Sequence, residues 1–161
     1  MLLLNIADKK DLVQLGDLAV NAFSDDELYR PDGISCGHPP RLDDLKKHEE
    51  WLDTKTYLKC TKGRQIVGSC ILFIEGLEGT LFGLNVGRQY MNMGIGSWII
   101  NKLQHMYPQV KIWTLETPDY ATRNHHFYEK NGFKLIEITE KEQKIGFGFH
   151  KYIKLQTEVA S

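Results

Sequence analysis

The sequence is poor in cysteine and has neither a long apolar run nor a cluster of basic residues. Its three cysteines form no Cys-x-x-Cys pair, so neither a disulfide framework nor a zinc ribbon is indicated, and we expect no metal site. No apolar stretch approaches the roughly 20 residues that span a bilayer. The opening MLLLNIA lacks the basic segment of a signal peptide. We therefore expect a cytoplasmic protein without a membrane partner.

The charge and the length of the chain bear on its partners and on its number of domains. The 20 lysines and arginines are balanced by 21 aspartates and glutamates, which leaves a formal net charge of −1. Without a basic run to neutralise a phosphate backbone, a nucleic-acid partner is not expected. The 161 residues fit one domain that covers the whole chain, 1–161. We expect either a monomer or a homodimer.

Residues 84–103, LNVGRQYMNMGIGSWIINKL, predict a buried strand, a polar glycine turn and an apolar-striped helix. Free N–H groups at the start of such a helix favour an anion, most often a phosphate. Gly94 and Gly96 let a diphosphate approach the main chain. Ser97 in place of lysine excludes a P-loop, and Ile99 occupies the place of the third dinucleotide-fold glycine. The pattern predicts a phosphorylated cofactor, although a helix that simply begins after a glycine turn remains open.

Residues 113–133, WTLETPDYATRNHHFYEKNGF, predict a strand followed by a helix that ends at Asn131 and Gly132. With this segment the chain resembles the GNAT acyltransferase superfamily. In that family a glycine turn before a helix binds the diphosphate of acetyl-CoA, and a later helix carries a Phe-Tyr-Glu-Lys-x-Gly-Phe run. That run matches residues 127–133 here. The resemblance is close over residues 57–155 and holds only in element order over 1–55.

The resemblance implies a GNAT fold, an α/β architecture with a central mixed, mostly antiparallel seven-stranded sheet and helices on both faces. The sequence pattern supplies elements in a compatible order. Strands are predicted at 2–7, 57–61, 65–75, 79–86, 110–116, 133–138 and 145–155. Helices are predicted at 8–23, 41–52, from the glycine turn to about 106, and at 120–130.

The same resemblance implies acetyl-CoA as the cofactor and assigns residues to it. The diphosphate cradle is expected at Met91, Asn92, Met93, Gly94, Ile95, Gly96 and Ser97. Backbone N–H groups of the stretch from Leu84 to Val86 are expected to serve the thioester carbonyl. The family often has alanine at the place of Asn124 and asparagine near that of Ala121, so the polar contact to the pantetheine arm has either moved to Asn124 or is absent. The family usually has Gln or Arg at the place of Met91 and glycine at the place of Asn92. Arg88 either replaces the missing charge or is simply an exposed arginine.

An amine must be neutral before it attacks the thioester. At pH 7 deprotonation costs roughly 4 to 5 kcal/mol for a lysine-like amine, whose pKa is ~10.4. It costs only about 1 kcal/mol for an α-amine, whose pKa is ~7.8. Some family members use a glutamate on the strand before the glycine turn, but residues 80–84 contain no carboxylate. Glu116 is therefore the first candidate base, with strand-end pairing as its alternative role. His125 is the second candidate.

Tyr128 matches the family tyrosine that protonates the departing CoA thiolate. A tyrosine hydroxyl, with a pKa of ~10, is a weaker acid than a thiol, with a pKa of ~8.5, so full proton transfer to the thiolate is unfavourable by about 2 kcal/mol. The tyrosine therefore needs a lowered pKa, or it only donates a hydrogen bond to the sulfur. A purely structural core tyrosine is the alternative.

These observations predict an acetyl-CoA-dependent N-acetyltransferase that transfers the acyl group directly to a small-molecule or peptide amine in a ternary complex. The alternative is a non-catalytic acyl-CoA-binding module, which Met91 and the missing strand carboxylate favour. The polar segment 24–40 carries Asp25, Asp26 and Glu27. These acids either select a cationic amine or belong to a solvated loop. The sequence does not identify the acceptor.

Overall fold

The computed structural model describes residues 1–23 and 44–157, which form a seven-stranded sheet with helices. The strands are β1 (Leu2–Ile6), β2 (Thr56–Lys62), β3 (Gln65–Glu75), β4 (Glu78–Val86), β5 (Ile112–Pro118), β6 (Lys134–Ile138) and β7 (Phe149–Leu155). The α-helices are α1 (Leu12–Phe23), α2 (Leu45–Thr54), α3 (Ile95–Met106) and α4 (Thr122–Lys130). Short 3-10 helices precede α1, at Lys9–Asp11, and α3, at Arg88–Tyr90.

The strand order across the sheet is β1-β2-β3-β4-β5-β7-β6. Among the described strands only β4 and β5 run parallel, and every other neighbouring pair is antiparallel. A parallel pair needs a crossover connection, which α3 supplies between these two strands. The predicted mixed, mostly antiparallel seven-stranded sheet is confirmed.

The helices cover the two faces of the sheet. Ile99 and Leu103 of α3 and Tyr128 of α4 pack in one core cluster with Leu81 of β4 and Leu115 of β5. We call this side the α3/α4 face. A second cluster joins α1 and the inner side of α2 to the opposite side of the sheet, the α1/α2 face. No described helix has the length and apolar character needed to cross a membrane.

Several element boundaries differ from the prediction. β5 was expected to stop at Glu116 but continues to Pro118, because Pro118 pairs with Phe149 of β7. β7 begins at Phe149 rather than at residue 145, because Gly146 lies in a turn with φ of +78°. Within the described residues α2 begins at Leu45, with Asp44 as its N-cap, whereas the helix had been predicted from residue 41.

Candidate active site

The parallel ladder between β4 and β5 ends early. Its pairs run from Glu78–Ile112 to Leu81–Leu115, yet β4 continues to Val86 and β5 to Pro118. A register shift of β4 against β3 after Leu81 leaves Phe82 without a partner, and such a bulge bends a strand away from its neighbour. The two strands therefore separate. We call the opening between residues 82–86 and 116–118 the fork.

A cleft of about 200 Å³ lies at the fork and beside the first turn of α3. Its lining combines a strand, the glycine turn and two helices: Ala22, Leu84, Asn85, Val86, Tyr90, Met91, Asn92, Gly94, Ile95, Gly96, Ser97, Arg123, Asn124, Phe127 and Lys130. All predicted cofactor residues except Met93 and Tyr128 are in this set. Because the lining includes Ala22 of α1 as well as residues of α3 and α4, the cleft reaches both faces of the sheet.

The turn before α3 leaves backbone donors for an anion. Gly94 is the N-cap, with φ of +80°, and Trp98 is the first residue whose N–H bonds back, to the Gly94 carbonyl at 2.9 Å. The N–H groups of residues 95–97 therefore have no partner within the helix. Asn92 also adopts a positive φ, of 63°, which asparagine tolerates better than most residues. Met93, by contrast, is 65% exposed and lies outside the cleft.

Gly96 also has a packing role that the sequence did not predict. A Cβ atom there would lie 2.8 Å from Cζ of Phe127. The missing side chain therefore lets α3 and α4 approach each other, and Phe127 becomes part of the cleft wall. At Gly94 an added Cβ meets nothing within 4 Å, so there the positive φ is what requires glycine.

Two cations of α4 line the cleft, and sequence reasoning missed both. Arg123 and Lys130 share with Phe127 a helical spacing that places all three on one side of α4. That spacing was the available signal, but it gains meaning only once the cleft is located. Arg88, which the sequence offered either as a replacement charge or as an exposed arginine, is not in the lining. The backbone N–H of Arg88 donates a hydrogen bond to Asn21 Oδ1 of α1 at 2.8 Å.

Tyr128 lies in the core immediately behind the cleft wall. Its ring contacts those of Phe127 and Phe133, with centroid separations of 5.2 and 5.6 Å, and it packs in the same cluster as Leu84. Burial raises the pKa of its hydroxyl above the ordinary value. The lowered pKa that proton transfer would require is therefore absent. No hydrogen bond joins the hydroxyl to another described residue.

Glu116 projects from the opposite face of the sheet. Its neighbour Leu115 packs in the α3/α4 core, and side chains alternate along a strand, so Glu116 faces the α1/α2 side. It is the first residue of β5 beyond the ladder. Its carboxylate lies 3.3 Å from Lys151 Nζ, and Lys151 also contacts Glu137 at 3.1 Å. Glu116 borders the fork but not the cleft lining.

The histidine candidate occupies a packing position. His125 Nε2 donates to the Pro118 carbonyl at 3.0 Å, which fixes the proton on that nitrogen. Its ring stacks on His150 with 4.0 Å between centroids. Burial lowers the pKa of His125, and the residue does not line the cleft. Its neighbour Asn124 does, and Asn124 Nδ2 donates to Thr117 Oγ1 at 3.3 Å.

The two cysteines that the structure describes offer no nucleophile at this site. Cys60 and Cys70 are buried free thiols, and burial raises the pKa of Cys60 to about 11. No cluster of metal-ligating side chains occurs in the ranges 1–23 and 44–157. The acids at 25–27 and Cys36 lie outside the described residues.

The sequence and the structure were both compared with known proteins. A family model described as an acetyltransferase (GNAT) domain matches residues 53–135, just over half of the chain. No curated protein sequence matches. The ribosomal-protein-S18-alanine N-acetyltransferase from Escherichia coli has a similar structure, with 14% identity, a TM-score of 0.75 and coverage of 100% of this chain and 97% of that chain.

Two other solved structures agree. The PaiA N-acetyltransferase from Thermoplasma acidophilum, in complex with coenzyme A, has 16% identity, a TM-score of 0.74 and coverage of 96% of this chain and 99% of that chain. A spermidine N-acetyltransferase chimera of Vibrio cholerae SpeG and hSSAT has 13% identity, a TM-score of 0.73 and coverage of 96% and 95%. Identities this low show the fold alone. The family model, which matches more than half of the chain, establishes that the chain belongs to the GNAT acetyltransferase family.

Proposed function

We propose that this protein is an acetyl-CoA-dependent N-acetyltransferase that transfers the acyl group directly to an amine in a ternary complex. One observation carries the proposal: the β4–β5 ladder ends at Leu81–Leu115, and a single cleft joins the glycine turn to the opening beyond it. The acyl donor and the amine then approach the fork from opposite faces of the sheet. The acceptor is a small-molecule or peptide amine. A cytoplasmic location and a monomeric or homodimeric state remain predictions.

The cleft has the chemistry that coenzyme A requires. The N–H groups of Ile95, Gly96 and Ser97 suit the diphosphate, because a helix N-terminus favours negative charge. Arg123 and Lys130 add positive charge at the α4 wall. The amide of Asn124 and the ring of Phe127 continue this wall towards the fork and suit the alternately polar and apolar pantetheine arm.

The edge of β4 supplies donors for the oxyanion of the tetrahedral intermediate. The N–H of Gly87 donates to Val67 of β3 at 2.9 Å. Because successive N–H groups of a strand point to opposite edges, those of Val86 and Leu84 point away from β3, into the fork. No strand of the described ranges pairs with this edge of β4 beyond Leu81. Fixed backbone donors of this kind stabilise the charge that develops on a thioester carbonyl.

Glu116 is our proposed base. It stands on the α1/α2 face at the point where the strands separate, so it can accept a proton from an amine that enters on that side. Attack by the neutral amine forms the amide bond and breaks the carbon–sulfur bond, with the thiolate of coenzyme A as the leaving group. The Tyr128 hydroxyl keeps its proton, since its pKa is raised. It therefore serves as a hydrogen-bond donor to sulfur rather than as a full acid.

A panel of amines tests this proposal. The protein is mixed with acetyl-CoA and, in turn, with small amines, polyamines and peptides, and thiol release is followed. We expect release that depends on at least one amine. Calorimetry with coenzyme A provides the control. If coenzyme A binds but no amine gives turnover, the transferase proposal fails and the non-catalytic acyl-CoA-binding module takes its place.

A further inference from the structure

Asn85 lies at the centre of the fork, between the two residues whose N–H groups point into it. Leu84 packs in the α3/α4 core, and the register partner of Asn85 is Ser69 of β3. Since neighbouring side chains of a strand alternate, the carboxamide of Asn85 projects to the α1/α2 face. The sequence analysis considered only the backbone of this stretch and assigned no role to the Asn85 side chain.

The carboxamide of Asn85 has no hydrogen-bond partner among the described residues, and its polar atoms remain accessible. Asn85 is only 6% exposed, yet no hydrogen bond joins its side chain to another residue of the described ranges. Neither polar atom of the carboxamide is among the fully buried, unpartnered side-chain atoms of the described residues, so both can be reached from outside the protein. Because Asn85 also lines the cleft, its side chain is available to a molecule bound there. Ser69 Oγ, by contrast, is fully buried and unpartnered, and Ser69 does not border the cleft.

The surroundings of Asn85 favour an amine. Gly83 lies on the same face, and a Cβ there would be 4.0 Å from Asn85 Nδ2, so the space beside the carboxamide is open. Glu116 borders the fork on the other strand and disfavours an anionic acceptor. The ring of Phe82, also on this face, already holds an ammonium, because Lys55 Nζ lies 4.2 Å from its centroid.

We propose that Asn85 is the acceptor-binding residue of this site and holds a primary amine at the fork, with its Oδ1 accepting an N–H of the nucleophile. This inference rests on the proposed function. The hydrogen bond directs the amine lone pair towards the thioester carbonyl, while Glu116 receives the proton that the amine must lose. A neutral amide suits this position, because it accepts from the neutral amine without a charge that would keep the amine protonated.

The test compares Asn85→Leu with the wild-type protein. The acceptor is whichever of spermidine, tyramine and an alanine-led peptide gives the fastest thiol release. We expect the KM for that amine to rise about three- to tenfold, the value of one lost hydrogen bond, with the Kd for coenzyme A unchanged. The Tm should stay the same or rise, because leucine removes an unpartnered polar group. Ser69→Ala is the matched control and should leave the KM unchanged.

The outcomes separate the two proposals. An unchanged KM and kcat in Asn85→Leu would overturn the role of Asn85 while the transferase activity stands. A lower Tm would show that the carboxamide supports the fold, and would also overturn it. If the wild-type protein releases no thiol with any amine, the proposed function fails. The Tm values of wild type and Asn85→Leu then still show whether the Asn85 side chain stabilises the fold or is available to a ligand.

Discussion

Gly96 and Phe127 meet so closely that a Cβ atom on the glycine would lie 2.8 Å from Cζ of the ring. This contact sets the separation of α3 and α4, the two helices that form the walls of the cleft. Phe127 itself lines the cleft. The width of the cleft therefore depends on a glycine whose backbone conformation is ordinary.

Gly96→Ala should weaken both the fold and the cofactor site. Forcing a methyl group against the ring costs about 1–3 kcal/mol, as other overpacked cores do, and pushes α4 outward. We expect a lower Tm in thermal unfolding and a higher Kd for coenzyme A in calorimetry. Adding Phe127→Leu should recover most of the stability. An unchanged Tm in the single variant would contradict the proposed contact.

Lys130→Ala should reduce the affinity for coenzyme A about two- to fivefold, because a partly solvated cation near phosphates contributes little more than an exposed ion pair. The loss should shrink at high salt, where screening is stronger. Pantetheine, which has no phosphate, should bind both proteins equally. Lys134→Ala, on the exposed strand β6, is the control. Equal losses for coenzyme A and pantetheine would mean that Lys130 does not act on phosphate.

Glu116→Gln should lower kcat/KM about 100-fold, because no carboxylate then accepts the amine proton. Glu137→Gln is a matched control, since Glu137 contacts the same Lys151 from β6. It should retain nearly full activity. Equal losses in the two variants would assign the effect to Lys151 rather than to a base at position 116.

Tyr128→Phe should lower kcat about 10- to 100-fold, which corresponds to one hydrogen bond to a developing charge. The Kd for coenzyme A and the Tm should change little, because the hydroxyl has no partner among the described residues. Tyr152→Phe alters the same aromatic cluster away from the cleft and should not affect kcat. If kcat is equal in wild type and Tyr128→Phe, the tyrosine is structural only.

Asp11→Asn should destabilise the protein at neutral pH. Burial alone raises the pKa of Asp11, but hydrogen bonds from Lys59 Nζ, at 2.8 Å, and from the Asp8 N–H outweigh it and hold the pKa below 3.8. The unfolded chain therefore takes up this proton more readily than the folded protein. The stabilisation is present above pH 3.8 and is lost as the pH falls through the folded-state pKa.

Chemical unfolding as a function of pH measures this effect. At pH 7 the variant should lose about 1–3 kcal/mol of unfolding free energy. The difference from wild type should narrow below pH 3.8. A difference that persists unchanged at lower pH would show that the charge of Asp11 is not its source.

The sequence alone determined the element order, the family, and the glycine turn at residues 91–97. Each of these depends on residues that are close along the chain. Gly94 needs a left-handed backbone, α4 ends at Asn131 and Gly132, and the strands have apolar periodicity. The local patterns were sufficient, because near neighbours fix turn geometry and helix ends.

The tertiary structure alone decided how these elements form a site. The bulge at Phe82 and the end of the ladder at Leu115 create the fork, and both depend on pairing between strands that are distant in sequence. The alternation of side chains along β4 and β5 then places Asn85 and Glu116 on the same face of the sheet. The close packing of α3 against α4 explains why residue 96 is glycine. The direction of a side chain relative to the cleft depends on how the sheet and helices assemble, so it could not be predicted from a local stretch of sequence.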